Sequence, residues 1–453
     1  MAIHHLSFAK GNMSLSNDPH QSSPRESSPR AIRAAVIVAA LGYFVDVYDI
    51  VLFSIIRVPS LRELGLDGEQ LMSNGVWLLN LQMGGMLLGG ILWGILGDKL
   101  GRIQVLFGSI LMYSVANVAN AFVNDVTSYS VCRFFAGLGL AGEIGAGITL
   151  VAEMMPRHRR GLATTLVATI GVSGACVAAL LGDFFSWRTA YMVGGLGGFL
   201  LLALRVGVYE SGMFNAVREN KEIAKGDLTL LLSDGRFWRY LSCVGVGMPL
   251  FFFVGLLITF APEIGTALQM KGDLKASQAV LYYAAGMVMG DVASGLLSQY
   301  LHSRKKVLGV FLVFAAAIMT LMVTGEGNHP TYYYALTLLG GFSIGYWAVL
   351  ITTSAEQFGT NLRATVTSTV PNFVRGMTVP ITLLFEALKP HLGTVDAVRV
   401  VGILCFGLAA LGWRSIKETF HTDLNFIERR GGAQDVPSSE WREPPEERLV
   451  GNL

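Results

Sequence analysis

Twelve stretches of about twenty mainly apolar residues, separated by short polar gaps, run from residue 32 to residue 415. They constrain the fold more than any other feature of the chain. A helix of that length rises about 30 Å, the thickness of a bilayer's hydrocarbon, and satisfies its own backbone hydrogen bonds on the way. The predicted spans are 32–56, 74–96, 103–123, 127–152, 162–185, 188–208, 238–262, 278–300, 305–324, 331–355, 364–388 and 395–415. Most connections are too short for anything but a reversal, so neighbours run antiparallel. The composition, 52% hydrophobic and 15% charged, excludes an ordinary soluble domain. The expected fold class is an all-α membrane protein.

Orientation follows from the basic residues. The even-numbered gaps hold Lys99, Arg102, Arg157, Arg159, Arg160, Arg218, Lys221, Lys225, Arg236, Arg239, Arg304, Lys305, Lys306 and Arg363. The odd-numbered gaps and their flanks hold half as many, Arg57 and Arg399 included. Both termini are therefore expected in the cytoplasm and the protein in the cell membrane. A net charge of +2 without a clustered basic face argues against a nucleic-acid partner.

The longest internal connection, 209–237, divides six spans from six. Residues 32–208 and 238–415 are read as two bundles, 209–237 as a cytoplasmic linker, and 1–31 and 416–453 as cytoplasmic tails, of which the N-terminal one and residues 431–453 are rich in polar residues and expected to be disordered. The halves repeat one another. Set under residues 340–356 at a constant offset, residues 137–153 match Gly137 with Gly340, Gly142 with Gly345, Ile148 with Ile351, Thr149 with Thr352, Ala152 with Ala355 and Glu153 with Glu356. Arg160 then falls on Arg363. Two like-oriented repeats form a transporter architecture whose ligand sites lie near the midplane between halves.

Between spans 2 and 3 stands Gly94-x3-Asp98-x2-Gly101-Arg102, and span 4 carries Arg133-x3-Gly137-x-Gly139 and then Glu153-x2-Pro156-x3-Arg160-Gly161. This set resembles the signatures of the major facilitator superfamily, over about residues 32–415, and most of all its sugar and metabolite proton symporters. The pair Asp46 and Asp49 in "DVYD" is similar to the paired-acid element of aromatic-acid/proton symporters. The resemblance implies twelve helices in two pseudo-symmetric six-helix bundles working by alternating access. The second-half loop, Gly295 to Lys306, has Gln299 where an acid is expected, so the gates should be asymmetric. Span 5 lacks the Gly-Pro motif of many drug exporters, which favours uptake.

A charge at the centre of a membrane helix costs about 2.5–3.5 kcal/mol even on the lenient insertion scale, so each needs a partner, water or a proton. Asp46 and Asp49, three residues apart, share a face of span 1 and are candidates for proton coupling, with Glu143 and Arg133 of span 4. Arg133 and Glu143 stand ten residues apart, about 15 Å, too far to pair with each other; an acid on span 1 or a substrate carboxylate suits Arg133 better. In the second half, Asp291 and Arg375 either neutralise one another or face a substrate, with Asn372 one turn from Arg375. A fixed guanidinium favours an anion. Tyr282, Tyr283, Tyr346 and Trp347 are candidate pocket aromatics, packing being the alternative.

Asp98, Arg102, Glu153, Arg160, Glu356 and Arg363 are read as cytoplasmic gate charges, paired when the protein faces outward and parted when it faces inward. All four cysteines lie in apolar runs without metal or redox spacing, and no nucleophile–base set appears, so neither cofactor, metal nor enzymatic activity is expected. The function expected is proton-coupled uptake of a small polar metabolite, an organic anion before a sugar, by a monomer. The alternatives are a facilitator, an exporter, or a receptor or assembly factor on the same scaffold.

Overall fold

In a computed structural model, the backbone is described for residues 29–100, 102–154, 160–210, 231, 235–420, 426–429 and 432–435. Some helical side chains within these limits, including those of 97–100 and 144–154, lie outside the description. The linker residues 211–230 and most of both tails also fall outside it.

The first bundle contains span 1, Pro29–Glu63, span 2, Glu69–Leu100, span 3, Arg102–Asn120, span 4, Val126–Met154, span 5, Arg160–Phe184, and span 6, Trp187–Glu210. In the second bundle, span 7 is Arg236–Phe252, continued by a π-helical turn, Phe253–Ile258, and a short helix, Ala261–Ala267. Span 8 is Ala276–Leu301 and span 9 Arg304–Thr324; span 10 comes in two pieces, Pro330–Ile344 and Trp347–Glu356. Span 11 begins as Thr360–Gly376 and runs into Thr378–Ser415, a helix that also holds span 12. The two crossings part at Gly393, whose φ of 77° and ψ of 169° turn the chain back. Among the described residues eight segments pass on length and apolarity alone, the last, Thr365–Ser415, comprising two crossings. Spans 3, 4 and 5 complete the twelve.

An even number of crossings puts the start of span 1 and the end of span 12 on one side, here the terminal face; the opposite side is the distal face. Polar side chains turn inward and large apolar ones such as Leu200, Leu296, Val313 and Leu411 stay exposed around the outside, the inverse of a soluble protein.

Glycine sets the closest approaches, and does so twice. Any Cβ at Gly85 or Gly137 would run into backbone between spans 2 and 4; any Cβ at Gly286 or Gly341 would do the same between spans 8 and 10. These are equivalent pairs of spans in the two repeats. Without a hydrophobic drive between helices in lipid, such backbone-to-backbone packing is what holds the bundle.

The chain beyond span 12 differs from the expected disordered tail in one place. Phe426–Arg429 and Gly432–Asp435 pair as an antiparallel hairpin, the one departure from all-helical structure among the described residues.

Candidate functional site

Among the described residues, four arginine–carboxylate pairs organise the interior; in three of them the arginine forks onto both carboxylate oxygens, and in the fourth Arg57 reaches Glu263 through one nitrogen. A forked pair is well suited to a low dielectric, where a lone charge is costly.

Asp49 of span 1 is held entirely within the first bundle. Arg133 of span 4 donates to its two oxygens at 3.3 and 3.1 Å, Asn117 of span 3 donates to Oδ1 at 2.7 Å and Gln82 of span 2 to Oδ2 at 2.9 Å. The Arg133 guanidinium also lies over the rings of Phe53 and Tyr191. Four spans thus converge on one carboxylate, which is 0% exposed, as is Arg133. The arrangement is a charge-compensated brace in which both carboxylate oxygens are hydrogen-bonded.

Glu143 is likewise internal to the first bundle. Arg205 of span 6 grips it at 3.0 and 2.5 Å, Ser109 of span 3 donates at 2.9 Å, and Arg205 also donates to the Leu106 carbonyl. Gly42 leaves the room, since a Cβ there would press on both charged groups. Arg205 was missed in the sequence because it falls at the end of a predicted span, where a basic residue reads as an anchor. A cation within an apolar run was the available signal.

Asp46 crosses the interface. Midway along span 1, it receives both arms of Arg375 from span 11, at 3.1 and 2.5 Å. Asp46 and Asp49, expected to act as one pair, therefore serve different arginines in different directions. Residues three apart on a helix lie about 60° apart around its axis, enough for one carboxylate to turn into the bundle and the other across the crevice. Arg375 takes Asp46 rather than Asp291 as its partner. Asn372 donates to the Ala141 carbonyl of span 4 at 2.9 Å, so it too bridges the halves, and its Oδ1 is buried without a partner.

The fourth pair lies towards the distal face. Arg57, near the end of span 1, donates to Glu263 at 2.5 Å and to the Thr259 carbonyl, with its guanidinium 4.5 Å over the Phe260 ring. Beside it the hydroxyls of Ser54 and Thr259 meet at 2.7 Å, and nearer the midplane Thr382 of span 11 donates to Asn80 of span 2 at 2.5 Å. The π turn in span 7 makes this contact possible: Thr259 returns its hydroxyl to the Val254 carbonyl, five residues back, and the extra residue swings Glu263 over span 1. Among the described residues, the hydrogen bonds between the bundles lie near the midplane or on its distal side. The distal entrance is closed.

Asp291 of span 8 has a different setting. Its carboxylate faces the N–H groups of Trp347 and Ala348, the latter at 3.4 Å, at the start of the second piece of span 10. That helix breaks at Gly345, where any Cβ would collide with Gly290 and the Asp291 nitrogen. No arginine or lysine pairs with Asp291 among the described residues, and it is only partly buried. Tyr43 of span 1 lies within electrostatic reach of Arg375, Asp291 and Asp46 and beside the Trp347 side chain.

The aromatic candidates separate. Trp347 is at the centre, edge-on to Phe251, and Tyr283 is buried near Tyr43 and Asp291. Tyr346 is a packing residue: its hydroxyl is tied to the Val246 carbonyl and its ring lies edge-on to Phe311. Tyr282 does not line the centre. It is 42% exposed and stacked on Tyr334 near the distal end of span 8.

Of the gate candidates, Asp98, Arg102, Glu153, Arg160 and Arg363 have side chains outside the described residues. Glu356 is described and pairs with Arg304 of span 9 at 2.8 Å. Next to it the segment after span 12 is pinned. Glu418 accepts from the Ser303 hydroxyl and from the N–H groups of Arg304 and Lys305, capping span 9, while Gln357 exchanges hydrogen bonds with the backbone of Lys417. An acid does attend this second-half loop, then, but it comes from the far end of the chain rather than from position 299.

Twelve crossings in two repeats, with arginine–carboxylate pairs at the interface between them, define a multi-pass membrane protein of two helical bundles. A family model described as "Major Facilitator Superfamily" matches residues 39–377, and the chain belongs to that family of multi-pass membrane transporters. It is 27% identical over 355 residues to a putative niacin/nicotinamide transporter, NiaP, of Bacillus subtilis (strain 168), covering 75% of this chain and 84% of that one. It is 24% identical to the 4-hydroxybenzoate transporter PcaK of Pseudomonas putida, over 83% and 92% of the two chains. In fold it is similar to the proton:xylose symporter XylE bound to 6-bromo-6-deoxy-D-glucose, with a TM-score of 0.67 at 17% identity, over 87% of this chain and 98% of that one.

Proposed function

We propose that this transporter takes up a small organic carboxylate, carrying an aromatic or similarly flat ring, together with protons. The observation that supports this most directly is the Asp46–Arg375 pair, a guanidinium at the midplane whose two arms hold a carboxylate from the opposite bundle. A substrate carboxylate presents the same two oxygens at the same spacing, so it can replace Asp46 with little change in the geometry around Arg375. Exchanging partners releases a bond that ties the halves together. Binding thereby acts on the equilibrium between conformations, as alternating access requires. Tyr43, Tyr283 and Trp347 around the pair supply flat apolar faces for a ring. The names of relatives, a niacin transporter and a 4-hydroxybenzoate transporter, agree with such a ligand.

In this reading the terminal face is cytoplasmic, the membrane is the cell's plasma membrane, and the Arg57–Glu263 cluster is the external gate. Asp98, Arg102, Glu153, Arg160 and Arg363, with Glu356, form its cytoplasmic counterpart. The carrier works as a monomer.

Purified protein in liposomes, loaded with alkaline buffer and diluted into acidic buffer, tests the assignment. Labelled nicotinate, benzoate, 4-hydroxybenzoate and xylose are offered separately. At least one of the acids should accumulate, and dissipating the pH gradient should abolish accumulation. Xylose accumulation with none of the acids moving would overturn the reading.

A further inference from the structure

Among the described residues, three acids near the midplane are ill suited to carry a proton. Asp46, Asp49 and Glu143 each face an arginine fork, and their residues are 0%, 0% and 3% exposed. Their charge is compensated where they sit, and water has no ready path to them. A proton added to any of them would strand a buried guanidinium without its counter-ion, which is strongly unfavourable.

Asp291 has the opposite properties. It lies near the middle of span 8, it is partly exposed, and no cation balances it among the described residues. Only the peptide N–H groups at the start of Trp347–Glu356 attend its charge. Such dipoles offset part of a carboxylate's desolvation but not the whole of it. Proton uptake removes the remainder.

The surroundings tie that event to the rest of the molecule. Trp347, the first residue of the half-helix that Asp291 holds, lies beside Tyr43 of the other bundle, and Tyr43 is in electrostatic reach of Asp46 and Arg375. The groups facing Asp291 from each neighbouring element can be named. Span 1 brings Tyr43, span 8 itself Tyr283, and span 10 the N–H groups at the start of Trp347–Glu356, while Asp46 and Arg375 lie beyond, around Tyr43. Span 5 carries Cys176 and, towards its distal end, Asp183, while the cations of span 9, Arg304 to Lys306, sit at its terminal-face end. None of the tyrosines exchanges protons with water near neutral pH.

We propose that Asp291 is the residue that carries the coupling proton, an inference that rests on the proton-driven reading above and assigns its proton. A hydronium ion gives its proton to a carboxylate oxygen, leaving water behind and forming a neutral carboxylic acid. The acid holds the N–H groups of Trp347 and Ala348 less strongly, the half-helix is released from span 8, and its contact with Tyr43 shifts with it. After the bundles rock, the proton returns to water on the other side and the carboxylate re-engages the helix.

The test has two arms. In the first, no substrate is present: infrared difference spectra between acidic and alkaline buffer are recorded for wild type, D291N, D46N, D49N and E143Q, each checked for folding by circular dichroism. A band from a buried protonated carboxyl should appear in wild type and vanish in D291N alone. Its persistence in D291N, its absence from wild type, or its loss in one of the other variants with D291N unchanged would overturn the assignment. In the second arm, liposomes carrying D291N should still exchange labelled nicotinate, benzoate or 4-hydroxybenzoate across the membrane at equal pH, within about threefold of wild type. Gradient-driven accumulation should fall to equilibration, and D291E should restore part of it. Accumulation by D291N equal to wild type would overturn the proposal, as would loss of equal-pH exchange in the folded variant. If wild type moves none of the three acids, the carboxylate reading fails while the infrared arm still decides whether Asp291 takes the proton.

Discussion

Arg375 of span 11 grips both oxygens of Asp46 on span 1, at 3.1 and 2.5 Å, from 329 residues further along the chain. The pair lies at the midplane and at the boundary between the bundles. It therefore bears on stability and on transport in separable ways. D46N leaves a buried guanidinium without its counter-ion and should destabilise the protein by about 3–5 kcal/mol. The double variant D46N/R375Q has no charge left to compensate and should recover most of that loss. Transport should not recover. R375K keeps the charge but loses the fork, worth about 1.5–3 kcal/mol for charged hydrogen bonds, so uptake of the carboxylate should fall about 10- to 100-fold. Thermal unfolding in detergent and liposome uptake check the two outcomes. Equal stability of D46N and D46N/R375Q would show that the pair is not electrostatically coupled.

The distal closure gives a second expectation. The hydroxyls of Ser54 and Thr259 touch at 2.7 Å, next to the Arg57–Glu263 pair. In the variant S54C/T259C, oxidation should join spans 1 and 7 and arrest transport, and a reductant should restore it. E263Q leaves Arg57 without its carboxylate and weakens the closure. Labelling of S54C by a membrane-impermeant thiol reagent from the distal side should then rise several-fold. Unchanged labelling in E263Q would mean that Glu263 does not hold this entrance shut.

Much of the architecture was legible because it depends on local composition. Apolar runs of bilayer length give the spans, and the match of Gly137 to Glu153 with Gly340 to Glu356 gives the repeat. The importance of Asp46, Arg133 and Arg375 was legible too, since a charge in such a run is costly wherever it points. Partners were not. Whether Arg375 meets Asp46 or Asp291 depends on the rotation of spans 1, 8 and 11 about their axes, and the sequence leaves that open. Arg205 and Arg57 sit near helix ends, where they look like interfacial anchors until the fold brings Glu143 and Glu263 to them. Glu418 lies beyond the last span, and only the return of the chain under span 9 gives it a role.

The glycine contacts carry a third expectation. Gly137 of span 4 and Gly286 of span 8 each admit a neighbouring backbone where any Cβ would clash, at the contacts of spans 2 with 4 and 8 with 10. Backbone cannot yield as a side-chain tip can, so G137A and G286A should each cost about 1–3 kcal/mol or more by forcing helices apart. Gly84 and Gly295 have open space around the same position, and G84A and G295A should be near neutral. Thermal unfolding of the four variants separates the cases. Equal melting of all four would contradict the close packing of spans 2 with 4 and 8 with 10.

A fourth expectation concerns pH at the end of the chain. Burial works to raise the Glu418 carboxyl, but hydrogen bonds from the Ser303 hydroxyl and from the N–H groups of Arg304, Phe420 and Thr419 outweigh it, and the net shift is downward. A carboxyl that ionises more readily when folded stabilises the fold above its unfolded value, about 4.3 for glutamate. That contribution is lost as pH falls through the lower, folded value. Wild type should therefore be more stable than E418Q at neutral pH, and the difference should shrink steadily as the buffer is made more acidic than about pH 4. The segment is reachable from water, so limited proteolysis after Lys417 reports its release directly, and E418Q should be cut faster than wild type at neutral pH. A gap between the two proteins that stayed constant across the titration would mean that Glu418 does not fasten the chain end to span 9 through its charge.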